Sequence, residues 1–225
     1  DCFAPQMGPG LGLNFADTIQ FDPAIASVPI PGDLWVFRRD RLDGARAGGG
    51  RVALVASSPP ANAPGLVVKR GTYVPSLEPF QIVVENLEIS GFPGDCILAQ
   101  APAESTFRNL LLHGCGRHGL ALVPEAAHGR NPFQNQIGGG AGFGNEIRDN
   151  AQWGIYAEVN PAFGTGSALN RFEGNRVGWA ATDPGGAHGN DAGGLAIVNA
   201  RGNIVGTTDP AYGNRLSGNG GAGLL

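Results

Sequence analysis

The sequence predicts an all-β solenoid in which short parallel strands stack coil upon coil. Three observations lead there: Gly and Asn enriched together in the later part of the chain, a gapless internal repeat, and irregular spacing between its copies. Of 225 residues, 38 are Gly and 17 Pro, while 42% are hydrophobic and 15% charged. That apolar share is enough for a core, and no three-residue collagen period runs through it. Gly costs about 1 kcal/mol per helix-interior position relative to Ala, so long helices are disfavoured. A chain of this length suits one large all-β domain better than two small ones.

The enrichment is uneven. Residues 1–85 hold 10 Gly and 2 Asn, whereas residues 86–225 hold 28 and 14. Both residue types tolerate left-handed backbone angles, so their pairing between short aliphatic runs is the chemistry of repeated tight turns. The segment GNEIRDNAQWGIY from Gly144 aligns on GNRLSGNGGAGLL from Gly213 at an offset of 69 residues, and NQIG from Asn135 and NIVG from Asn203 precede the two copies. Looser copies begin at Asn86, Asn109 and Leu169. A unit this short cannot bury an apolar face alone, so its copies must stack. The gaps between Ile89, Leu112, Ile147, Phe172 and Leu216 are 23, 35, 25 and 44 residues. They exclude a fixed-period helical solenoid and suit a coil of three short parallel strands whose turns accept insertions.

The NxIGG, GNxIxxN and GI patterns resemble the right-handed parallel β-helix repeats of the pectin-lyase-like superfamily, of the type found in large secreted or surface-exposed bacterial proteins. The resemblance covers residues 82–225 and implies a secreted or cell-surface location. Residues 1–81 read as an N-terminal cap with the first irregular coils, a separate small domain being the alternative. Candidate strands there are Thr18–Phe21, Leu34–Phe37, Val52–Val55 and Leu66–Lys69, divided by Pro and Gly clusters.

Strand side chains alternate, so inward Ile89, Leu112, Ile147, Phe172 and Leu216 set the rest of the row. One outward column then runs Glu88, Leu111, Glu146, Arg171, Arg215, and the other Ser90, His113, Arg148, Glu173, Ser217. Glu146 is expected beside Arg171, and Arg148 beside Glu173, with His113 one coil below Arg148. The resemblance places catalytic acids and bases on such a face, which makes His113, Glu146, Arg148, Arg171 and Glu173 the candidate set. A solvated charge ladder is the plainer reading of the same residues. Asn150, Asn175 and Asn219 recur at the following turn and read as a structural amide ladder.

Three cysteines, Cys2, Cys96 and Cys115, lack a CxxC pair, so zinc is not expected. The turns GFPGDC and GCGRHG occupy equivalent places and bring Cys96 towards Cys115, where an oxidising compartment favours a disulfide. Two loops carry polar groups: Glu125, His128 and Arg130 in one, and Trp179, Asp183, His188 and Asp191 in the other. Neither matches a metal motif, and both read as solvated turns. GGGAGFGNE from Gly138 lacks the aspartate of a calcium repeat, and no P-loop, GxSxG or HExxH occurs, so no metal and no cofactor is expected.

The net charge is −4, with 14 Arg and a single Lys, Lys69. No basic stripe points to nucleic acid, and no run of 18 apolar residues points to a membrane-spanning helix. The last copy stops at Leu225 while its earlier counterpart continues through Ala157, Glu158 and Val159. The expectation is that further coils follow or that another subunit covers this end. The leading functional expectation is a non-catalytic extracellular module, a rigid spacer or surface domain that presents loops to glycans or protein partners. The alternative is a polysaccharide lyase or glycoside hydrolase acting on acidic polysaccharide along the outer strand face.

Overall fold

A computed structural model describes residues 18–22, 24–36, 40–69, 81–164, 168–179 and 188–225. Phe37, Cys2 and Asp183 lie outside the described residues. Among those described there is no α-helix, only three short 3-10 turns, and every strand pairing is parallel. The chain visits three sheets in rotation. The first round is β1 (Thr18–Gln20), β2 (Ser27–Ile30) and β3 (Leu34–Val36), and the second is β4 (Arg41–Asp43), β5 (Val52–Ala56) and β6 (Leu66–Lys69). The third is β7 (Val83–Glu85), β8 (Leu87–Ser90) and β9 (Ile97–Gln100), and the fourth β10 (Thr106–Arg108), β11 (Leu111–His113) and β12 (Leu120–Val123). Then come β13 (Gln136–Gly138), β14 (Glu146–Arg148) and β15 (Trp153–Glu158), followed by β16 (Arg171–Glu173), β17 (Arg176–Val177) and β18 (Gly193–Val198). A last round holds β19 (Ile204–Val205) and β20 (Arg215–Leu216), with a bridge from Leu195 to Leu224.

Each strand pairs with the strand three places on. Sheet 1 is β1-β4-β7-β10-β13-β16-β19, sheet 2 is β2-β5-β8-β11-β14-β17-β20, and sheet 3 is β3-β6-β9-β12-β15-β18. Pairing runs without interruption from β4, β5 and β6 to β7, β8 and β9, so residues 40–69 share the sheets of the later chain. The core is three columns of side chains: Leu42, Val84, Phe107, Ile137 and Phe172 from sheet 1; Leu54, Ile89, Leu112, Ile147 and Val177 from sheet 2; Leu66, Ile97, Leu120, Ile155 and Leu195 from sheet 3. All fifteen are buried.

Phe172 is thereby moved from its expected place. It continues Ile137 in sheet 1, and Val177 stands between Ile147 and Leu216 in sheet 2. The reason is that each coil here contains two strands that open with Asn-x-aliphatic, and Asn170-Arg-Phe imitates Asn145-Glu-Ile. The 69-residue offset remains in register because it spans two coils. The outer columns change accordingly: Glu146 pairs across to Arg176, and Arg171 to Gln136.

The amide ladders change with them, and among the described residues three run through the later coils. In the first, Asn135 Nδ2 donates to Asn170 Oδ1 at 2.9 Å, and the Asn170 backbone N–H donates to Asn203 Oδ1 at 3.0 Å. The second runs Asn145, Asn175, Asn214, with Nδ2-to-Oδ1 distances of 2.9 and 3.0 Å. The third runs Asn150, Asn190, Asn219 at 2.8 and 2.9 Å. Asn175 therefore belongs with Asn145 and Asn214, not with Asn150 and Asn219. Several rungs are entered through a residue in the left-handed region, such as Asp149 (φ 56°), Leu169 (φ 53°) and Gly174 (φ 66°), which turns the following Asn inward.

Candidate functional site

The anticipated catalytic set is divided between two sheets. His113, Glu146 and Arg148 share the outer face of sheet 2, where His113 and Arg148 are register neighbours. Arg171 and Glu173 lie on β16 in sheet 1, where Arg171 binds Glu173 within its own strand at 2.6 Å and Gln136 Nε2 donates to Glu173 at 3.1 Å. Arg148 Nε binds Glu146, also within its own strand, at 3.1 Å, and Arg148 reaches Asp149. The expected cross-coil pairs Glu146–Arg171 and Arg148–Glu173 are thus replaced by pairs along each strand. Cross-coil pairs occur elsewhere: His113 Nε2 lies 2.9 Å from Glu88, and Glu85 is held by Arg41 and, at 2.6 Å, by Arg108.

Each polar loop makes contacts among the described residues. Glu125 and Arg130 close the first loop as an antiparallel bridge, with His128 Nδ1 at 3.1 Å from Glu125. In the second, His188 Nδ1 lies 3.4 Å from Asp149. Among the described residues no group of three or more His, Cys, Asp or Glu is arranged to hold a metal ion, and no helix is long and apolar enough to cross a membrane.

A different set of residues converges. Where each coil turns from sheet 2 into sheet 3, Asp95, His118 and Trp153 occupy successive levels of one column. The His118 backbone N–H donates to Asp95 Oδ1 at 3.0 Å, and the Trp153 N–H donates to His118 Nδ1 at 3.2 Å. This is a ladder of opposite polarity to the asparagine ladders, each side chain accepting from the backbone of the next coil. Directly inside it, Cys96 and Cys115 form a disulfide with Cα atoms 5.6 Å apart. Gly119 and Gly154 follow the column because no larger residue fits: a Cβ on Gly154 would stand 2.3 Å from Val177 Cγ1.

Beside the column, Tyr156 projects from the outer face of sheet 3 between Ala121 and Ala196, whose short side chains leave room around it. The His118 and Tyr156 rings stack at 4.7 Å and 13°. Asp95, Arg117, His118, Gln152, Trp153, Tyr156 and Glu158 thus line a cleft of about 670 Å³, with Leu98 and Val123 as its apolar floor.

The electrostatics of the cleft follow from burial. Burial, together with the adjacent Arg117 guanidinium, lowers the His118 pKa to about 4, so the ring is neutral at physiological pH. Because Nδ1 accepts from Trp153, the ring proton resides on Nε2. Burial pushes the Asp95 carboxyl above its ordinary value, against the pull of the His118 N–H and of Arg117 at 3.6 Å. Burial and the Glu158 carboxylate, which accepts from the phenol at 3.2 Å, also raise Tyr156. The cleft therefore combines a stacked aromatic pair, a neutral imidazole, one guanidinium and two carboxyl groups.

None of these cleft residues stood in the anticipated set. Asp95, His118 and Trp153 stand two residues before Ile97, Leu120 and Ile155, the inward aliphatics of sheet 3, and share no residue type. The visible signal was positional: the residue before Gly119 and before Gly154 in aligned copies. Comparison with protein-family models, with curated proteins and with solved structures finds no match for this chain.

Proposed function

We infer that this chain is a right-handed parallel β-helix of the pectin-lyase-like type, working outside the cell as a surface module that engages glycans through the cleft on sheet 3. The observation that carries this reading is the pairing of the stacked His118–Tyr156 rings with oriented polar groups in one open cleft. Sugar rings present an apolar C–H face and a rim of hydroxyls. An aromatic surface bordered by fixed hydrogen-bonding groups complements both. The rotation of the chain through three parallel sheets supports the fold, and the Cys96–Cys115 disulfide supports an oxidising compartment. Arg117 favours saccharides that carry a carboxylate.

The test is a glycan panel that includes uronate polymers, read by calorimetry on the protein and on Tyr156→Ala. At least a tenfold loss of affinity in the variant is expected, whereas equal binding by both proteins, or no binding to any member, refutes the reading. A catalytic role in polysaccharide cleavage is the second reading, favoured by one observation: Asp95, its carboxyl raised by burial, shares the cleft with the Glu158 carboxylate. New reducing ends or unsaturated products from uronate polymers, abolished in Glu158→Gln, would establish it. Their absence across the panel leaves the binding role.

A further inference from the structure

Away from the cleft, where the chain passes from sheet 1 to sheet 2, two arginines stand side by side over one indole ring. Arg176 and Arg215 are direct register partners on adjacent strands β17 and β20. Like charges placed opposite each other on neighbouring strands destabilise a sheet. Neither residue forms an ion pair among the described residues, although the chain carries more carboxylates than cations. Both guanidinium groups lie over the ring of Trp179, at 5.2 and 4.3 Å from its centroid. A stacked guanidinium keeps its N–H edges free for an acceptor. Arg215 Nε spends one of these on a 3.4 Å contact with Ser217 Oγ. The indole Nε1–H of Trp179 is itself buried without a partner.

The two arginines open onto a groove of about 370 Å³, and Arg51 completes its cationic lining. Arg51 is held in place by Asn109, whose backbone oxygen and Oδ1 accept from it at 2.8 and 2.6 Å. Glu146 is the one acidic residue lining the groove; it binds Arg148 and also supports the Arg51 charge, so three guanidinium groups of the lining face a single carboxylate. Much of the remaining wall is the bare backbone of Gly142, Gly144, Gly174 and Gly213, so a ligand can approach the guanidinium edges without steric obstruction.

We propose that this groove is an oxyanion-binding site in which Arg176 and Arg215, braced on Trp179 and assisted by Arg51, clamp a sulfate or carboxylate group. Adjacent strands are roughly 4.8 Å apart, so one oxyanion can accept from both arginines at once. Bound anion removes the repulsion between the pair, and this gives the site its selectivity for charge over sugar identity. The site is separate from the sheet 3 cleft and does not depend on the function inferred for that cleft. The same oxyanion chemistry can arrive as a free ion or on an acidic saccharide chain, and the binding measurement separates the two.

The experiment compares the protein with Arg215→Gln, Arg176→Gln and, as an exposed cation outside the groove, Arg201→Gln. Binding is measured by calorimetry with sodium sulfate and with a sulfated tetrasaccharide, and melting midpoints are recorded with and without sulfate. Expected is saturable binding that weakens at least tenfold in either groove variant and is unchanged in Arg201→Gln. Sulfate should raise the melting midpoint of the parent protein and of Arg201→Gln, but not that of the Arg176 and Arg215 variants. Without anion, both groove variants should retain a cooperative melting transition, which confirms that they fold. A tetrasaccharide bound more tightly than sulfate assigns the site to saccharide-borne groups, and equal affinities assign it to the free ion. Unaltered affinity in both groove variants, or no binding of either probe by the parent protein, overturns the proposal.

Discussion

Replacing Asn175 by Ala removes the middle rung of the second amide ladder and should be among the most damaging single changes in the chain. Its Oδ1 accepts from the Asn145 backbone N–H at 3.3 Å and from Asn145 Nδ2 at 2.9 Å. Its Nδ2 donates to the Ile137 carbonyl at 2.9 Å and to Asn214 Oδ1 at 3.0 Å. Asn145 and Asn175 are each about 1% exposed, so water cannot readily replace what is lost. Four bonds at a net 0.5–1.5 kcal/mol each, with at least one buried N–H left unpaired, give a loss of about 4 kcal/mol. Asn219→Ala, at a half-buried rung with three such bonds, should lose less than half of that. Asn175→Asp is the sharper control. It preserves shape and the Oδ1 acceptor but sets an oxygen against the Ile137 carbonyl and Asn214 Oδ1, so it should be as harmful as Ala. Urea denaturation followed by circular dichroism gives the free energies, and hydrogen exchange at the Asn145 amide gives the local effect. A loss under about 1 kcal/mol for Asn175→Ala, or an unaffected Asn175→Asp, would show that the amides only fill space.

Four further outcomes are expected. The His118 pKa is lowered from its ordinary 6.5 to about 4, so the unfolded chain binds more protons between these values. Its contribution, on the order of 3 kcal/mol, is therefore complete above pH 6.5 and lost as pH falls towards 4. Denaturation at several pH values should show that slope diminished in His118→Asn, with Asp95, Arg117, Tyr156 and Glu158 unchanged. Cys96 and Cys115 enclose a 19-residue separation, so reduction should destabilise the fold by about 3 kcal/mol, and alkylation of the denatured, unreduced protein should label neither. Gly144→Ala should destabilise strongly, because its Cβ would stand 1.8 Å from the Gly174 carbonyl oxygen, whereas Gly32→Ala meets nothing within 4 Å and should be neutral by thermal melting. Leu169 occupies the left-handed region at φ 53° while 40% exposed, so Leu169→Asn should raise the melting midpoint, gaining up to about 1 kcal/mol.

Much of the winding was legible because stacking repeats the same demand at every level. The pairs Asn145 with Asn214, Asn150 with Asn219 and Ile155 with Leu224 belong to shared columns, since equivalent turns require equivalent residues. The strands at Val52 and Leu66 likewise begin where their aliphatic runs begin. Phe172 shows where the pattern misleads. Two of the three strands in these coils open with the same Asn-x-aliphatic triplet, so the triplet alone does not say which sheet it enters. Strands at Ser27–Ile30 and Arg41–Asp43 are harder to read because the first carries Pro29 and the second has a single aliphatic residue between two charged ones. The cleft was illegible for the opposite reason. Its column demands an acceptor at each level but not a particular one, so Asp95 and His118 meet the same need with unrelated side chains.

The amide ladders have a direction. Asn145 donates to Asn175 and Asn175 to Asn214, and Asn150, Asn190 and Asn219 follow the same order. In each case the earlier residue in the chain is the donor and the later one the acceptor. A polypeptide emerges from synthesis N-terminus first. Each completed coil thus waits with an unanswered backbone N–H and a side-chain amide hydrogen until the following coil supplies one carbonyl oxygen to both. A strand that docks one residue out of step presents Gly174 or Arg176 in place of Asn175, and neither supplies the side-chain oxygen that the waiting donors need. The asparagines thereby set a register requirement at each level of this part of the molecule, which only the correctly aligned coil satisfies.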